Sequence, residues 1–251
     1  MGRWLSALIV FSFAASAFGE QPIDYAREER WAQEIVPTLV VGDAVWLATP
    51  ARPRVLAILT EPSAAPKGGV IVVHGLGLHP DFGLVNGVRT GLAEAGYTTL
   101  SVQMPVLAAA ASRPDYTVAL PAAGERIAAA ITFLRGKGLT KIAIVSHSMG
   151  ATMTNAYLMR TGASSIDAWV PVGMLVGFAA SPKEPVLDVT AGNELAEVVA
   201  ATPLRAKALP QDRCSAQLTI AGADHYFENR QKELTAAIAA FLDRVFGGHC
   251  R

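Results

Sequence analysis

Lys141–Met153 reads KIAIVSHSMGATM, and it decides the fold. An apolar, partly β-branched run, Ile142–Val145, enters Ser146-His147-Ser148-Met149-Gly150, after which the spacing turns helical. A buried strand that passes into a helix through so short a turn forces the central residue into a strained backbone conformation and lifts its side chain out of the turn. The residues two before and two after must be small, because strand and helix pack tightly there; Ser146 and Gly150 meet that requirement, with Ser146 standing where a G-x-S-x-G elbow has glycine. Ser148 is therefore the candidate nucleophile.

Working outward, strands and helices alternate. The pattern predicts strands at Thr38–Val41 with Ala44–Ala48, Val55–Thr60, Gly69–His74, Thr98–Gln103, Lys141–Ser146, Ala168–Val172, Val186–Thr190 and Ser215–Ile220. It predicts helices at Leu84–Ala95, Ala122–Gly136, Gly150–Thr161, Leu195–Ala206 and Gln231–Phe246, and a helical or irregular stretch over Glu20–Gln33. The continuously apolar run before His74 suits a strand covered on both faces. Leu234, Ile238, Phe241, Leu242 and Val245 recur at helical spacing. Alternation of this kind implies a mostly parallel sheet of about eight strands with helices on both faces, its first two strands forming an antiparallel edge. No internal repeat and no linker divides the chain, and the connection between the strands at Ala168–Val172 and Val186–Thr190 is too short for a large cap domain.

A serine at a strand tip is inert without an oxyanion site and a base. Val72-Val73-His74-Gly75-Leu76-Gly77 ends a buried strand in a glycine-rich loop, so the expected donors to an oxyanion are the backbone N–H groups of Leu76 and Met149. Five histidines are present. His74 and His79 lie by the oxyanion loop, His147 should point away from the Ser148 hydroxyl, and His249 is terminal. His225, in Ala221-Gly222-Ala223-Asp224-His225-Tyr226-Phe227, follows the last strand and is the expected base. The acid is expected after the preceding strand. Glu194, beyond the small residues Ala191-Gly192-Asn193, is preferred; Asp188, mid-strand by pattern, and Asp224 are alternatives.

With 251 residues, 51% of them hydrophobic, and 21 basic against 21 acidic side chains, the chain can bury a large core and carries no polyelectrolyte signature that would suit nucleic acid. Residues 1–19 resemble a secretory signal peptide: Arg3, an apolar run from Trp4 to Phe13, then Ala15-Ser16-Ala17 and Ala17-Phe18-Gly19, which both fit a small-x-small site; an uncleaved anchor is the alternative. Export to the periplasm or beyond, without a stable membrane anchor after cleavage, is the expectation, with residues 20–251 as a single domain. The only cysteines, Cys214 and Cys250, bracket a strand-then-helix unit whose helix returns to the start of its strand, which predicts a disulfide between them. No HExxH or paired CxxC spacing occurs, and neither a metal nor another cofactor is expected.

HGLG, SHSMG, AGNE and GADHYF, in that order, resemble the α/β-hydrolase superfamily from about His74 to the last helix. Within it the chain is similar to compact, dienelactone-hydrolase-like bacterial proteins, although those proper use a cysteine where Ser148 stands. The resemblance implies an α/β-hydrolase fold and a Ser-His-acid triad without a metal. A nucleophilic serine points to acyl transfer, and so to a carboxylesterase of short or medium acyl esters; an amidase or peptidase with the same triad, and a non-catalytic binding protein, are the alternatives. A small-molecule ester or amide is the expected partner. Met104–Pro121 is either a small lid or an ordinary crossover, and Trp169, Met174 and Phe178 either line an acyl pocket or pack the core.

Overall fold

The computed structural model describes residues 23–161 and 166–250; the leader expected over residues 1–19 lies outside them. In chain order the elements are α1 (Tyr25–Ile35), β1 (Asp43–Leu47), β2 (Val55–Thr60), β3 (Gly69–Val73), α2 (Gly83–Glu94), β4 (Thr98–Val102), α3 (Leu120–Gly136), β5 (Ile142–His147), α4 (Met149–Thr161), β6 (Ala168–Val172), β7 (Leu187–Asn193), α5 (Ala196–Ala208), β8 (Ala216–Asp224) and α6 (Gln231–Phe246). The strands form one sheet in the order β1-β2-β4-β3-β5-β6-β7-β8. Strand β2 is antiparallel to both β1 and β4, and every other pairing is parallel. The one reversed strand is thus second from the edge.

Period-two alternation sorts the central strands into two cores. Ile71, Val73, Ile142 and Ile144 face α3 and α4, meeting Ile127, Ile131, Leu134 and Met153. Val70, Val72, Ala143 and Val145 face α2 and α6, meeting Val88, Leu92, Ile238, Phe241 and Leu242. Strands β3 and β5 are buried along their whole length. Each large aliphatic side chain buried this way contributes about 1.5–3 kcal/mol. By length and composition alone the helical span Pro114–Gly136 is apolar enough to cross a bilayer. Its apolar face packs on the sheet through Ala123, Ile127, Ala130 and Leu134.

Most expected elements recur within one or two residues; β8 runs four residues past the expected Ile220, to Asp224, and two further readings differ. The strand expected at Thr38–Val41 is absent. Val36–Thr38 instead forms a 3-10 turn with Pro37 in its first turn, the Thr38 hydroxyl bonds back to Glu34 O at 2.9 Å, and Gly42 turns the chain at φ +88°. The run that follows buries no apolar face that a strand would serve, since Val40 and Val41 are exposed. The polar stretch after the leader forms α1, started by Asp24, whose Oδ1 accepts the Arg27 N–H at 2.8 Å. Ala191-Gly192-Asn193 is not a turn but the end of β7, with a register shift between Ala191 and Asn193. Gly192 permits it: a Cβ there would lie 3.0 Å from Gly222 N on β8.

Cys214 and Cys250 are bonded, tying the start of β8 to the end of α6. The crossover over Met104–Pro121 packs on the core at both ends: Met104, Val106, Leu107, Tyr116 and Ala119 are buried. Residues 108–110 are exposed, and Arg113 Nη1 beyond them pairs with Glu197 Oε1 on α5 at 2.9 Å. Trp169 and Met174 are core residues, with Phe178 packed at their margin.

Candidate active site

At the end of β5 the backbone of Ser148 takes φ +54°, a left-handed conformation that a serine adopts only where its surroundings impose it. The surroundings are tight. A Cβ on Gly150 would overlap His74 O and come within 2.8 Å of Val73 O, so the start of α4 rests directly on the end of β3. The Ser148 N–H donates to Val172 O at 2.8 Å, fixing the turn against β6. Ser146, in the position of the usual glycine, has a partner of its own: the indole Nε1–H of Trp169 donates to its Oγ at 2.9 Å. A glycine there would leave a buried N–H unpaired, which costs about 1–3 kcal/mol.

Three side chains meet at this turn. His225 Nε2 lies 2.9 Å from Ser148 Oγ, and His225 Nδ1 is hydrogen-bonded to Glu194 Oε1. Ser148 and His225 are each more than nine-tenths buried. Glu194 also accepts the Leu195 N–H at 2.9 Å and the Ala191 N–H at 3.3 Å. Burial pushes the Glu194 carboxyl up, but the bond from His225 and these two backbone donors outweigh it and hold its pKa below the usual range. An ionised carboxylate only accepts, so the imidazole carries its proton on Nδ1 and presents the Nε2 lone pair to the hydroxyl. That arrangement can take a proton from Ser148 and return it.

The alternative acids are occupied elsewhere. Asp188 faces α5, where Arg205 Nε approaches its two oxygens at 3.0 and 2.9 Å and Gln217 Nε2 donates to it at 2.8 Å. Asp224 caps the turn after β8, accepting the N–H groups of Tyr226 at 3.1 Å and Glu228 at 3.4 Å. His147 points away from the hydroxyl and donates from Nε2 to His225 O at 2.9 Å, which steadies the backbone of the histidine loop. His79 packs between the rings of Trp31 and Phe82.

The loop carrying Leu76 lies against the same turn, since a Cβ on Gly75 would be 3.4 Å from Ser148 Cβ. Met149 opens α4, where backbone N–H groups lack intrahelical acceptors and the helix dipole is positive. One residue of the site went unread in the sequence. Gly173, at the tip of β6 with φ +59°, is where a Cβ would stand 3.0 Å from His225 Cε1 and 3.3 Å from Glu194 Oε2. Its lack of a side chain makes room for the pair. The only sequence signal was a glycine directly after an apolar strand. Among the described residues, no group of three or more His, Cys, Asp and Glu side chains is placed to hold a metal ion.

No protein-family model matches the chain, and no curated protein matches it. Solved structures do. An esterase from Butyrivibrio proteoclasticus superposes with a TM-score of 0.61 at 16% identity, over 82% of this chain and 99% of its own. A serine hydrolase without a lid from Xanthomonas campestris gives 0.60 at 17% identity, over 82% and 95%. The chain has the α/β-hydrolase fold. An esterase from Pyrococcus furiosus also shares this α/β-hydrolase fold, with a TM-score of 0.64 at 14% identity over 82% and 93%. Like the Xanthomonas protein, the described residues carry no large cap domain on the α/β-hydrolase sheet.

Two buried imidazoles beside the site each contribute stability that is lost in mild acid, against the opposite contribution of the buried Glu28, Glu184 and Asp188 carboxyls, whose pKa values burial raises. Burial lowers the His74 pKa to about 3, and burial together with the neighbouring His225 lowers that of His147 to about 4. Both are neutral when folded, whereas in the unfolded chain they take up protons as pH falls through about 6.5. Between roughly pH 4 and 6.5 each ring is protonated only in the unfolded chain, so its contribution to stability falls as pH falls, by up to about 1.4 kcal/mol per unit. Urea unfolding at pH 7.5 and 5.0 measures this. The decrease should be smaller in His147→Gln than in the wild type, and an equal decrease would remove His147 from the account.

Proposed function

We propose that this protein is a serine hydrolase acting on carboxylic esters with short or medium acyl groups, through Ser148, His225 and Glu194. The observation that carries the reading is the continuous hydrogen-bond line from the Ser148 hydroxyl through both nitrogens of His225 to Glu194. Ser148 Oγ attacks the ester carbonyl while His225 Nε2 takes its proton. The carbonyl electrons move onto oxygen, and the backbone N–H groups of Leu76 and Met149 stabilise that oxyanion. The tetrahedral species collapses, the C–O bond to the alcohol breaks, and His225 returns the proton to the departing alkoxide. Water then enters, loses a proton to Nε2 and attacks the acyl-enzyme; the second tetrahedral species breaks its bond to Ser148 Oγ, which takes the proton back from Nε2, and the acid leaves. Glu194 keeps Nδ1 as the donor throughout and favours the transient imidazolium.

The esterases from Butyrivibrio proteoclasticus and Pyrococcus furiosus support an ester over an amide as the substrate. Export fits the leader-like composition of residues 1–19 and a disulfide between the two cysteines, since such bonds persist in oxidising compartments. A panel of p-nitrophenyl esters from acetate to palmitate, run beside the matching p-nitroanilides, tests the reading. Turnover of the shorter esters should exceed that of the anilides by at least about 100-fold. Hydrolysis of anilides at equal rates favours an amidase, and no turnover of either favours a binding protein.

A further inference from the structure

The loop that follows β3 has its carbonyl groups tied down by side chains. His74 Nε2 accepts the Met104 N–H at 2.8 Å, so the ring proton sits on Nδ1, which donates to Gly75 O at 2.8 Å. In a trans peptide the C=O and N–H of one unit point in opposite directions. Holding Gly75 O against His74 therefore turns the Leu76 N–H away from that ring. Gln103 Nε2 donates to Leu78 O at 3.4 Å. Another anchor comes from far off in the chain: Arg27, on α1, donates from Nη2 to Gly77 O at 3.2 Å and from Nη1 to Leu107 O at 3.1 Å.

One guanidinium thus joins the loop to the start of the Met104–Pro121 crossover. The arm that carries it is rigid. The Arg27 guanidinium lies over the Trp31 ring at 4.5 Å. Next to it in sequence, Glu28 pairs with Arg126 at 3.0 Å, with both side chains buried, and accepts the Val106 N–H at 3.3 Å. The Asp24 N–H donates to Val106 O at 2.7 Å. Gly75 and Gly77 give the loop wide conformational freedom, and Gly77 sits at φ +66°. A loop of that kind delivers an N–H to a developing charge only if something outside it fixes its course.

We infer that Arg27 is a positioning residue: by holding Gly77 O, two peptide units beyond the one that His74 fixes, it anchors the far end of the loop so that the Leu76 N–H stays aimed at the oxyanion. This rests on the proposed hydrolase function. The guanidinium fork can serve two carbonyls at once, whereas the ammonium of lysine is a single point donor. The test compares wild type, Arg27→Ala and Arg27→Lys on the best ester, and with a trifluoromethyl ketone that forms a tetrahedral adduct on the serine. Loss of a well-placed oxyanion donor costs on the order of 100-fold or more in kcat. A misdirected donor should cost Arg27→Ala about 10- to 100-fold in kcat, with KM within about twofold and a parallel loss of ketone affinity. Arg27→Lys should recover only part of both. If Arg27→Ala does not fold, the lysine variant decides, and unchanged kcat and ketone affinity there overturn the inference. So does a folded Arg27→Ala with wild-type kcat, or with equal losses of secondary structure and activity and normal ketone affinity in the remainder. A wild type that hydrolyses no ester overturns the functional reading and this inference together, while an active wild type with indifferent variants overturns the role of Arg27 alone.

Discussion

Ser148→Ala should reduce kcat on a short p-nitrophenyl ester by on the order of 10⁴- to 10⁶-fold, to a residue of turnover set by binding alone. The size of the loss follows from the absence of a substitute at the turn. Ser146 Oγ is engaged by the Trp169 indole two residues earlier on β5, on the side of the sheet that faces the α3–α4 core. No other hydroxyl is placed 2.9 Å from His225 Nε2 among the described residues, as Ser148 Oγ is. The variant should fold, because the backbone bond from the Ser148 N–H to Val172 O does not involve the side chain. A residual rate within about tenfold of wild type would mean that another group attacks the ester.

His225→Ala should lower kcat by on the order of 10⁴-fold or more, since a serine hydroxyl without a base is a poor nucleophile at neutral pH. The loop around it should persist. The bond from His147 goes to the His225 carbonyl rather than its ring, and Phe227, fully buried, anchors the turn two residues on. Glu194 loses one donor but keeps the Leu195 and Ala191 N–H groups, so it is not stranded. Circular dichroism and an unfolding curve alongside the kinetics separate the outcomes. Wild-type stability with turnover lost supports a base, and a collapsed fold would make His225 a structural residue.

Much of this was legible because the chemistry of burial writes itself locally. The doubly covered strands β3 and β5 read as unbroken apolar runs, and α6 showed its buried face as a 3.6-residue repeat. The meeting of Ser148, His225 and Glu194 was legible because each follows a strand, and the strand tips share one edge of a parallel sheet. What escaped has a different origin. The run Thr38–Val41 has the composition of a strand, but its valines face solvent and no strand forms. The bulge at Gly192 depends on how closely β8 approaches, which only the paired strands decide. Gly173 matters because of His225 and Glu194, which are distant from it in sequence. Arg27 acts on backbone carbonyls, and a carbonyl carries no residue-specific signal. The antiparallel pairing of β1 with β2 was expected from their close connection, whereas the insertion of β2 antiparallel beside β4 is a matter of topology that a strand-by-strand pattern does not carry.

The most direct measurement is the site of covalent modification by a fluorophosphonate, found by peptide mass mapping of the treated protein. The account predicts one phosphonyl group, on Ser148, in the wild type, much slower labelling in His225→Ala, and none in Ser148→Ala. An adduct on any other residue, or undiminished labelling of Ser148→Ala, would contradict it.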